Sequence, residues 1–405
     1  MKFMPLFTIA LILQVSCAEQ KKDNVVLSNV IDVESALKNV TKLKTSDLGK
    51  TIRYIPLETT DDCLIGDRPI VTVLKDYIVI GSRRDCFLFD KKDGRFISSI
   101  GYVGQDPEAY NSNFGFADEK EEFLYFLRPP NNLIKYDMTG RFSGKITFST
   151  SSGLASSYIL TDKEIIAYYE NASDSSDFTL TFYDKTGVMT SHLQPKTEET
   201  IDRSLSKFAG GRAMRAGEVG IMLFEYKDDT RRAFVPVEKI WNHDGKIHFN
   251  ESFNDTIYDI SERELTPYIA FNTGAWSWSE NEKAGNSYSK RVFILQVFES
   301  DPILFFQCVK GLHTDETITY DGLFNKKTGE TKLGKTNDGI QDDISGFMPF
   351  IPKSISASGE FVSYADAFII SEWLEKNPEA KNNEKLEFLK DFNDDINPVV
   401  ILIEP

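Results

Sequence analysis

Three short segments, evenly spaced along the first half of the chain, constrain its fold more than any other feature. Asp90, Asp137 and Asp184 are separated by 47 residues and again by 47. Each follows an aromatic residue and precedes a Gly by three or four residues, as in a strand that enters a tight turn and returns. Asp accepts a hydrogen bond from the backbone two residues on, and Gly adopts positive φ without steric cost. One such hairpin in each unit of roughly 40 to 50 residues is typical of β-propeller blades.

The remaining strand patterns predict an all-β chain with six blades, and five blades are the alternative. Residues 51–57 alternate apolar and polar side chains, and we expect them to pair in the last blade, since an open edge is a liability. Residues 219–226, 232–236 and 240–247 are expected to form blade four, with Asn242 in the position of the Asp residues. Residues 255–271 are expected to supply strands for blade five.

The two ends of the chain depart from the strand pattern. Residues 1–16 are expected to be a lipoprotein signal peptide, 17–48 a polar tether and 49–405 the propeller domain. Within that domain, apolar residues at helical spacing predict a helical insertion at about 364–392, giving a six-bladed propeller with short C-terminal helices.

Cys17 ends the apolar N-terminal run. Lys2 provides a positive start, the apolar stretch is too short to span a bilayer stably, and Ser16 is a small residue directly before Cys17. This arrangement resembles the lipobox of bacterial lipoproteins, although Gln14 stands where that motif prefers Leu. The resemblance implies cleavage before Cys17 and a membrane anchor of two or three acyl chains. The alternative is ordinary cleavage and a soluble periplasmic product.

Composition excludes several function classes. The net charge of −16 argues against nucleic acid as a partner, because the protein and the nucleic acid would both be polyanions and would repel each other. The four His residues lack metal-ligand spacing and no nucleotide-binding or nucleophile motif is present, so neither a metal nor a cofactor is predicted. Cys63, Cys86 and Cys308 are expected to be small buried residues, with a Cys63–Cys86 disulfide as the alternative.

Five local patterns, in their order along the chain, resemble the six-bladed β-propeller lipoproteins abundant in Bacteroidetes. They are residues 54–58 (Tyr-Ile-Pro-Leu-Glu), 100–110, 254–258, 342–352 and 394–400. In the second pattern, Asp106 and Ala109 replace two glycines of the family's loop. The resemblance implies a propeller anchored by lipid in the bacterial cell envelope, at the outer membrane. It implies no activity, since that family largely lacks an assigned one.

A tryptophan pair is the first candidate ligand-binding feature. Trp276 and Trp278 lie in a polar segment together with Asn272 and Glu280. Aromatic rings stack on the apolar faces of sugars, while Asn and Glu can bind hydroxyl groups. The alternative is that both rings pack beneath a long loop.

Two arginine pairs are the second candidate. Arg83 and Arg84 could bind an anionic ligand, and Arg231 and Arg232 form a similar pair. The alternative is that they are solvated strand ends that form ion pairs at the rim.

These observations favour an envelope-anchored, non-catalytic propeller that binds a glycan, a peptide or an envelope protein through its loops. The rival hypothesis is a propeller hydrolase or lyase that acts on polysaccharide with carboxylates at the central channel. No catalytic residue is assigned, because 62 acidic residues place some carboxylate pair at any distance.

Overall fold

The structure is a computed structural model. It describes residues 29–82, 84–111, 115–118, 120–150, 155–169, 180–193, 208–216, 219–227, 231–251, 254–277, 291–312, 314, 316–390 and 392–405. Within these ranges, no helix is both long enough and apolar enough to cross a bilayer.

The elements follow one another mainly as antiparallel strands. The first are β1 (Val30–Asp32), α1 (Val33–Lys38), a 3-10 turn (Thr45–Asp47) and β2 (Thr51–Pro56). The next three groups are β3 (Ile70–Val73), β4 (Tyr77–Ser82), β5 (Asp85–Asp90) and β6 (Phe96–Ser99); β7 (Gly115–Ala117), β8 (Phe123–Arg128), β9 (Asn132–Asp137) and β10 (Phe142–Thr147); and β11 (Ser157–Leu160), β12 (Ile165–Tyr168), β13 (Leu180–Tyr183) and β14 (Met189–Leu193).

The second half continues the series. After β15 (Phe208–Ala216), β16 (Val219–Tyr226) and β17 (Arg231–Phe234) come β18 (Ile240–His243), β19 (Lys246–Phe249), β20 (Thr256–Asp259), β21 (Thr266–Asn272) and a 3-10 turn (Gly274–Trp276). Then follow β22 (Val292–Glu299), β23 (Ile303–Lys310), β24 (Ile318–Asn325), β25 (Thr331–Lys335) and a 3-10 turn (Thr336–Asp338). The chain ends with β26 (Ser354–Ile355), β27 (Phe361–Ala365), α2 (Ala367–Lys376), 3-10 segments (Pro378–Asn382 and Glu384–Leu389) and β28 (Val399–Glu404).

Six of the sheets form the blades of a propeller, as the sequence predicted. In ring order the blades begin with β3, β7, β11, β18, β22 and β26, and these first strands surround the central channel. Apolar clusters fill the interfaces between neighbouring blades. Each blade therefore buries its two faces against its neighbours, as a small sheet must.

The antiparallel order gives the ring two different faces. Turns between the first and second strands, and between the third and fourth, lie on one face, which we call the hairpin face. The opposite face, the loop face, carries the connections between blades and the loops between second and third strands.

Hairpins at the ends of β5, β9 and β13 have the predicted geometry. The side chains of Asp90, Asp137 and Asp184 accept hydrogen bonds from backbone amides two residues on, at 2.7, 2.9 and 2.9 Å. The glycines that follow at 94, 140 and 187 have φ of 76°, 81° and 93°. The same turn recurs in blade five, where the Asn325 side chain accepts from the amide of Lys327 at 3.0 Å.

Ring closure also follows the prediction. β2 pairs antiparallel with β28, so an N-terminal strand forms the outer edge of the last blade. Ile55 pairs with Val400 in this ladder, and both residues belong to the apolar cluster between blades six and one. Closure leaves no open strand edge between the first and last blades.

The prediction for blades four and five was wrong. β15, β16 and β17 form a three-stranded sheet outside the ring, which packs on β22 and β23 of blade five. Blade four consists of β18 to β21, and it contacts blade three directly, since the amide of Lys239 donates to Ser157 Oγ at 3.5 Å. Asn242 therefore lies in the first strand of its blade. Asp259, whose side chain accepts from the amide of Ser261 at 2.9 Å, occupies the turn position expected for Asn242.

The tether expected for residues 17–48 is too long, because residues 29–48 are part of the fold. β1 pairs in parallel with β21 as a fifth strand of blade four. Leu43 and Leu48 are buried in the cluster between blades five and six. Residues 17–28 lie outside the described part of the chain.

The C-terminal helical segment lies where the spacing predicted it. Ile370 and Leu374 of α2 pack into the core between blades five and six. The 3-10 segments add Leu386 and Leu389 to the same cluster, so the insertion covers this interface before β28 returns to the ring. Phe368, by contrast, is 65% exposed.

Candidate functional site

A cavity of about 920 Å³ occupies the mouth of the central channel on the loop face. Every blade contributes to its wall, through residues in or just before the first strands. The β15–β17 sheet forms part of the wall with Val219 and Phe234, and α2 contributes Ile369. Large apolar side chains line much of this cavity, and Ile70 and Ile369 have exposed fractions of 41% and 42% although they are core-type residues.

Glu238 projects from the segment before β18 into this cavity. Its side chain is accessible from the cavity, yet the surrounding protein excludes enough water that desolvation raises the pKa of its carboxyl. Among the described residues, none forms a hydrogen bond or an ion pair with this carboxyl. An acid without a partner in an apolar wall can receive a cation or a hydrogen-bond donor from a ligand.

Gln296 supplies a second polar group, from the neighbouring blade. A β-bulge after Ile294 shifts the register of β22 against β23 just before Gln296. The buried Lys239 Nζ donates to the backbone oxygen of Leu295, the extra residue of the bulge, at 3.0 Å. Bulges reorient side chains, and the Gln296 amide lies in the cavity wall without a hydrogen bond to any described group.

Positive charge lies at the rim of the cavity. Arg68 and Arg215 are exposed lining residues, and neither forms an ion pair within the described parts of the chain. Lys353 is placed differently, because its charge acts on Asp366 and its Nζ lies 4.6 Å from the centre of the Tyr364 ring. Burial raises the pKa of the Asp366 carboxyl, and the charge of Lys353 opposes that effect.

The predicted tryptophan site is only partly within the described residues. Trp276 is half-buried against the cluster between blades four and five, with Lys310 Nζ 4.7 Å from its ring centre. The Asn272 side chain is exposed and donates to Asp32 Oδ1 at 3.3 Å. Trp278 and Glu280 lie outside the described residues. Neither Trp276 nor Asn272 lines the cavity, and the role of all four residues in binding a ligand stays a prediction.

The predicted arginine site lies on a different blade. Arg84 is exposed in the loop between β4 and β5 on the loop face of blade one, and Arg83 lies outside the described residues. Blades one and four are opposite each other in the ring, so Arg84 and Trp276 belong to separate surfaces. For Arg231 and Arg232 the structure gives the strand alone, β17.

Sequence reasoning missed the cavity residues Glu238, Gln296 and Arg68, because none belongs to a motif. A usable signal existed for two of them. Arg68 and Glu238 each stand two residues before the first strand of a blade, a position that faces the channel mouth.

A second polar cluster lies between blades four and five on the hairpin face. Glu299 is its centre: Oε1 lies 2.7 Å from Lys326 Nζ and accepts from the Tyr268 hydroxyl at 3.0 Å. Oε2 accepts from Trp241 Nε1 at 2.7 Å and lies 2.8 Å from His248 Nδ1. Burial alone would raise the pKa of Glu299, but the hydrogen bond and charge of His248 and the charge of Lys326 lower it to about 2.

The described residues contain no group of three or more His, Cys, Asp or Glu side chains that could hold a metal ion. Cys63, Cys86 and Cys308 are buried free thiols, so the alternative Cys63–Cys86 disulfide is not formed. Burial raises the pKa of the Cys86 thiol to about 12.

Comparison with solved structures agrees with this fold. A crystal structure from Bacteroides fragilis NCTC 9343, named "Putative exported protein (BF0058)", has a TM-score of 0.64 and 17% sequence identity, covering 93% of this chain and 100% of that one. The WD40 repeats of RRP9 have a TM-score of 0.40 and 8% identity, covering 90% and 99%. At 17% identity, the similarity to the B. fragilis protein shows the fold alone. The similarity to RRP9 is too weak to support any conclusion.

Sequence comparison places the chain in a family. No curated protein matches it. A family model described as "Domain of unknown function (DUF4934)" matches residues 28–404, which includes β1, α1 and all six blades. The chain therefore belongs to the DUF4934 family.

Proposed function

We propose that the protein is a lipid-anchored binding protein of the bacterial cell envelope, whose propeller binds a glycan or peptide at the loop-face cavity without catalysis. The cavity carries the proposal. Its volume of about 920 Å³ lies within the range of small-ligand sites. Such sites combine apolar walls with a few polar groups, and here Glu238 and Gln296 have unused hydrogen-bonding capacity.

The location rests on separate support. The lipobox at Cys17 supports a lipid anchor, and the Bacteroides fragilis protein that shares this fold is named as an exported protein. We propose the outer membrane as the site of anchoring. Labelling cells with a radioactive fatty acid tests the anchor: the wild type should incorporate label, and Cys17→Ala should not. Equal labelling of both would remove the anchor from the proposal.

Binding is tested with the full chain in detergent against panels of oligosaccharides and short peptides, using isothermal titration calorimetry. A ligand in the cavity should bind at least about tenfold more weakly to Phe234→Ala, because an aromatic contact is removed. Phe368→Ala is the matched control, since Phe368 is an exposed ring outside the cavity. Trp276→Ala tests the tryptophan site predicted from sequence. If no member of either panel binds, or if only Trp276→Ala weakens binding, the cavity is not the site.

The second candidate is a hydrolase or lyase that acts on polysaccharide, and one observation favours it. The raised pKa of Glu238 suits a general acid in the channel. A glycosidase needs a second carboxyl about 5 to 10 Å away, whereas no neighbouring charge of the described residues affects Glu238. Turnover of a polysaccharide by the wild type, abolished in Glu238→Gln, would establish this candidate over binding.

A further inference from the structure

The two walls of the cavity carry opposite charges at equivalent positions. Arg68 and Glu238 each lie two residues before the first strand of a blade, β3 and β18 respectively. Those blades are one and four, which face each other across the ring. Both side chains line the cavity, so an elongated ligand could contact one at each end.

The two charges do not neutralise each other within the protein. Among the described residues Glu238 forms no ion pair with Arg68 or Arg215, and desolvation raises the pKa of its carboxyl. An unpaired carboxylate with little water around it costs free energy, and a cation supplied by a ligand offsets that cost.

Arg68 can bind an anion at the rim of the cavity, because it lines the cavity and forms no ion pair with a described residue. Its backbone has a φ of 54°, a left-handed conformation that is uncommon for a residue with a Cβ. Arg215, from the sheet outside the ring, adds a second guanidinium to the lining. Guanidinium groups bind carboxylates through two parallel hydrogen bonds.

Between the charged ends, the lining suits a peptide. The side-chain amide of Gln296 can both donate to and accept from a peptide group. The apolar lining, with Ile70, Phe234 and Phe298, can receive a nonpolar side chain. A neutral glycan would leave both charged ends unmatched, and an amino sugar would match only Glu238.

We propose that the cavity binds short peptides with two free ends, the ammonium group at Glu238 and the carboxylate at Arg68. This inference rests on the proposed function and narrows its ligand to a zwitterion. It also gives a role to the bulge in β22, which orients Gln296 towards the cavity.

The test uses the full chain in detergent and four probes: the tripeptide alanyl-leucyl-alanine, its N-acetyl form, its C-terminal amide and chitotriose, a neutral glycan. We expect the free tripeptide to bind. Acetylation of the amine should weaken binding about tenfold or more, since a charge-assisted hydrogen bond is lost. Amidation of the carboxylate should weaken it by a smaller factor, because the rim is more exposed to water.

Variants assign each end of the ligand. In Glu238→Gln the free and acetylated tripeptides should bind equally weakly, and in Arg68→Gln the free and amidated forms should do so. Glu262→Gln is the matched control, an exposed acid on the hairpin face of the same blade, and should bind like the wild type. Thermal unfolding of every variant shows whether a loss of binding reflects a loss of folding.

The pH dependence gives a readout that a purely structural role would not change. Binding of the ammonium group requires Glu238 to be ionised. The affinity for the free tripeptide should therefore rise with pH as Glu238 ionises, and this rise should occur at a pH above the usual pKa of a glutamate. The acetylated form and Glu238→Gln should show no such rise. The other charged groups of the lining, Asp366, Lys353, Arg68 and Arg215, are unchanged in that variant, so a rise that persists in it would come from Asp366 and would contradict the assignment to Glu238.

The outcomes separate the two proposals. In one outcome chitotriose or the acetylated peptide binds, Phe234→Ala weakens that binding, and the free tripeptide binds no more tightly than they do. The zwitterion inference is then wrong, and the proposed function stands. If no probe binds and the wider panels also give nothing, both fail. Tight binding of the free tripeptide that is unaffected by Glu238→Gln would also overturn the inference.

Discussion

Replacement of Glu299 by Gln should destabilise the propeller in a pH-dependent manner. The Glu299 carboxylate is buried and contacts Lys326 of its own blade five. It also contacts His248, Tyr268 and Trp241 of blade four across the interface between the two blades. Glu299→Gln preserves the shape of the side chain but removes its charge. Breaking a buried ion pair by removing one partner costs about 3 to 5 kcal/mol, because the other charge is left uncompensated.

The pKa of Glu299 sets how this cost changes with pH. Its pKa is about 2 in the folded protein, against 4.5 for an ordinary glutamate. A difference of about 2.5 units corresponds to about 3.4 kcal/mol of stability, at 1.36 kcal/mol per unit. Because the folded pKa is the lower one, this stability is present above pH 4.5 and is lost as the pH falls towards 2. About 1.4 kcal/mol of it should be gone by about pH 3.5.

The assay is urea unfolding followed by tryptophan fluorescence, for the wild type and Glu299→Gln, from neutral pH to about pH 3.5. The difference in unfolding free energy should be largest at neutral pH and should shrink as the pH falls. Glu387→Gln is the control, since the Glu387–Lys390 pair is exposed and is expected to contribute at most about 1 kcal/mol. A difference that stays constant with pH, or is below about 1 kcal/mol at neutral pH, would refute the reasoning.

Three further predictions concern ring closure, the buried Cys86 thiol and the Glu238 carboxyl. A Cβ on Gly49 would lie 2.0 Å from the backbone oxygen of Glu404, so Gly49→Ala should strain ring closure and lower stability by about 1 to 3 kcal/mol in urea unfolding. Gly210→Ala is the control, because no atom of the described residues lies within 4 Å of its new Cβ. This variant should change the free energy of unfolding by less than about 0.5 kcal/mol. The Cys86 thiol, with a pKa of about 12, should react with a thiol reagent only after unfolding, and rapid labelling of the native protein would contradict its burial. Glu238→Gln should be more stable than the wild type at neutral pH, because a pKa that is raised in the folded state means that ionisation of Glu238 opposes folding. This gain in stability should vanish below about pH 4.5, where the carboxyl is protonated in both states. Equal urea midpoints of the two proteins at neutral pH would argue against this reasoning.

The sequence predicted the parts of the fold in which local chemistry and global architecture agree. Asp90, Asp137 and Asp184 mark their turns through hydrogen bonds that depend on neighbouring residues alone, so their spacing reported the blades directly. The closing strand β2 was also predictable, because an open ring would leave an edge that only an N-terminal strand could cover.

The division of the chain into blades failed where a sheet outside the ring resembles a blade. β16 alternates buried and exposed residues, as expected of a sheet with one covered face. A middle strand of a blade is covered on both faces, and β23 is buried at every position except Lys310. The sequence does not reveal this exposed face of β16, because Met222 and Phe224 on it are as apolar as Ile221 and Leu223 on the covered face.

The cavity could not be predicted because its residues come from every blade. Glu238 and Gln296 line one cavity only when the ring closes, and the position of Glu238 before β18 could be used only once the first strand of that blade was correctly assigned. The Gln296 position depends further on a bulge, which shifts the alternation of β22 by one residue.

The direction of β1 has a consequence for how the propeller stands on a membrane. β1 runs parallel to β21, which leads from the hairpin face to the loop face, so the backbone before Val30 departs towards the hairpin face. With an acylated Cys17, residues 18–29 alone would connect bilayer and domain, a reach of at most roughly 40 Å at full extension. With that anchor, a connection of this length attached to the outer edge of blade four would hold the hairpin face towards the lipid. The opening of the channel would then point away from the membrane, where diffusing molecules can enter it.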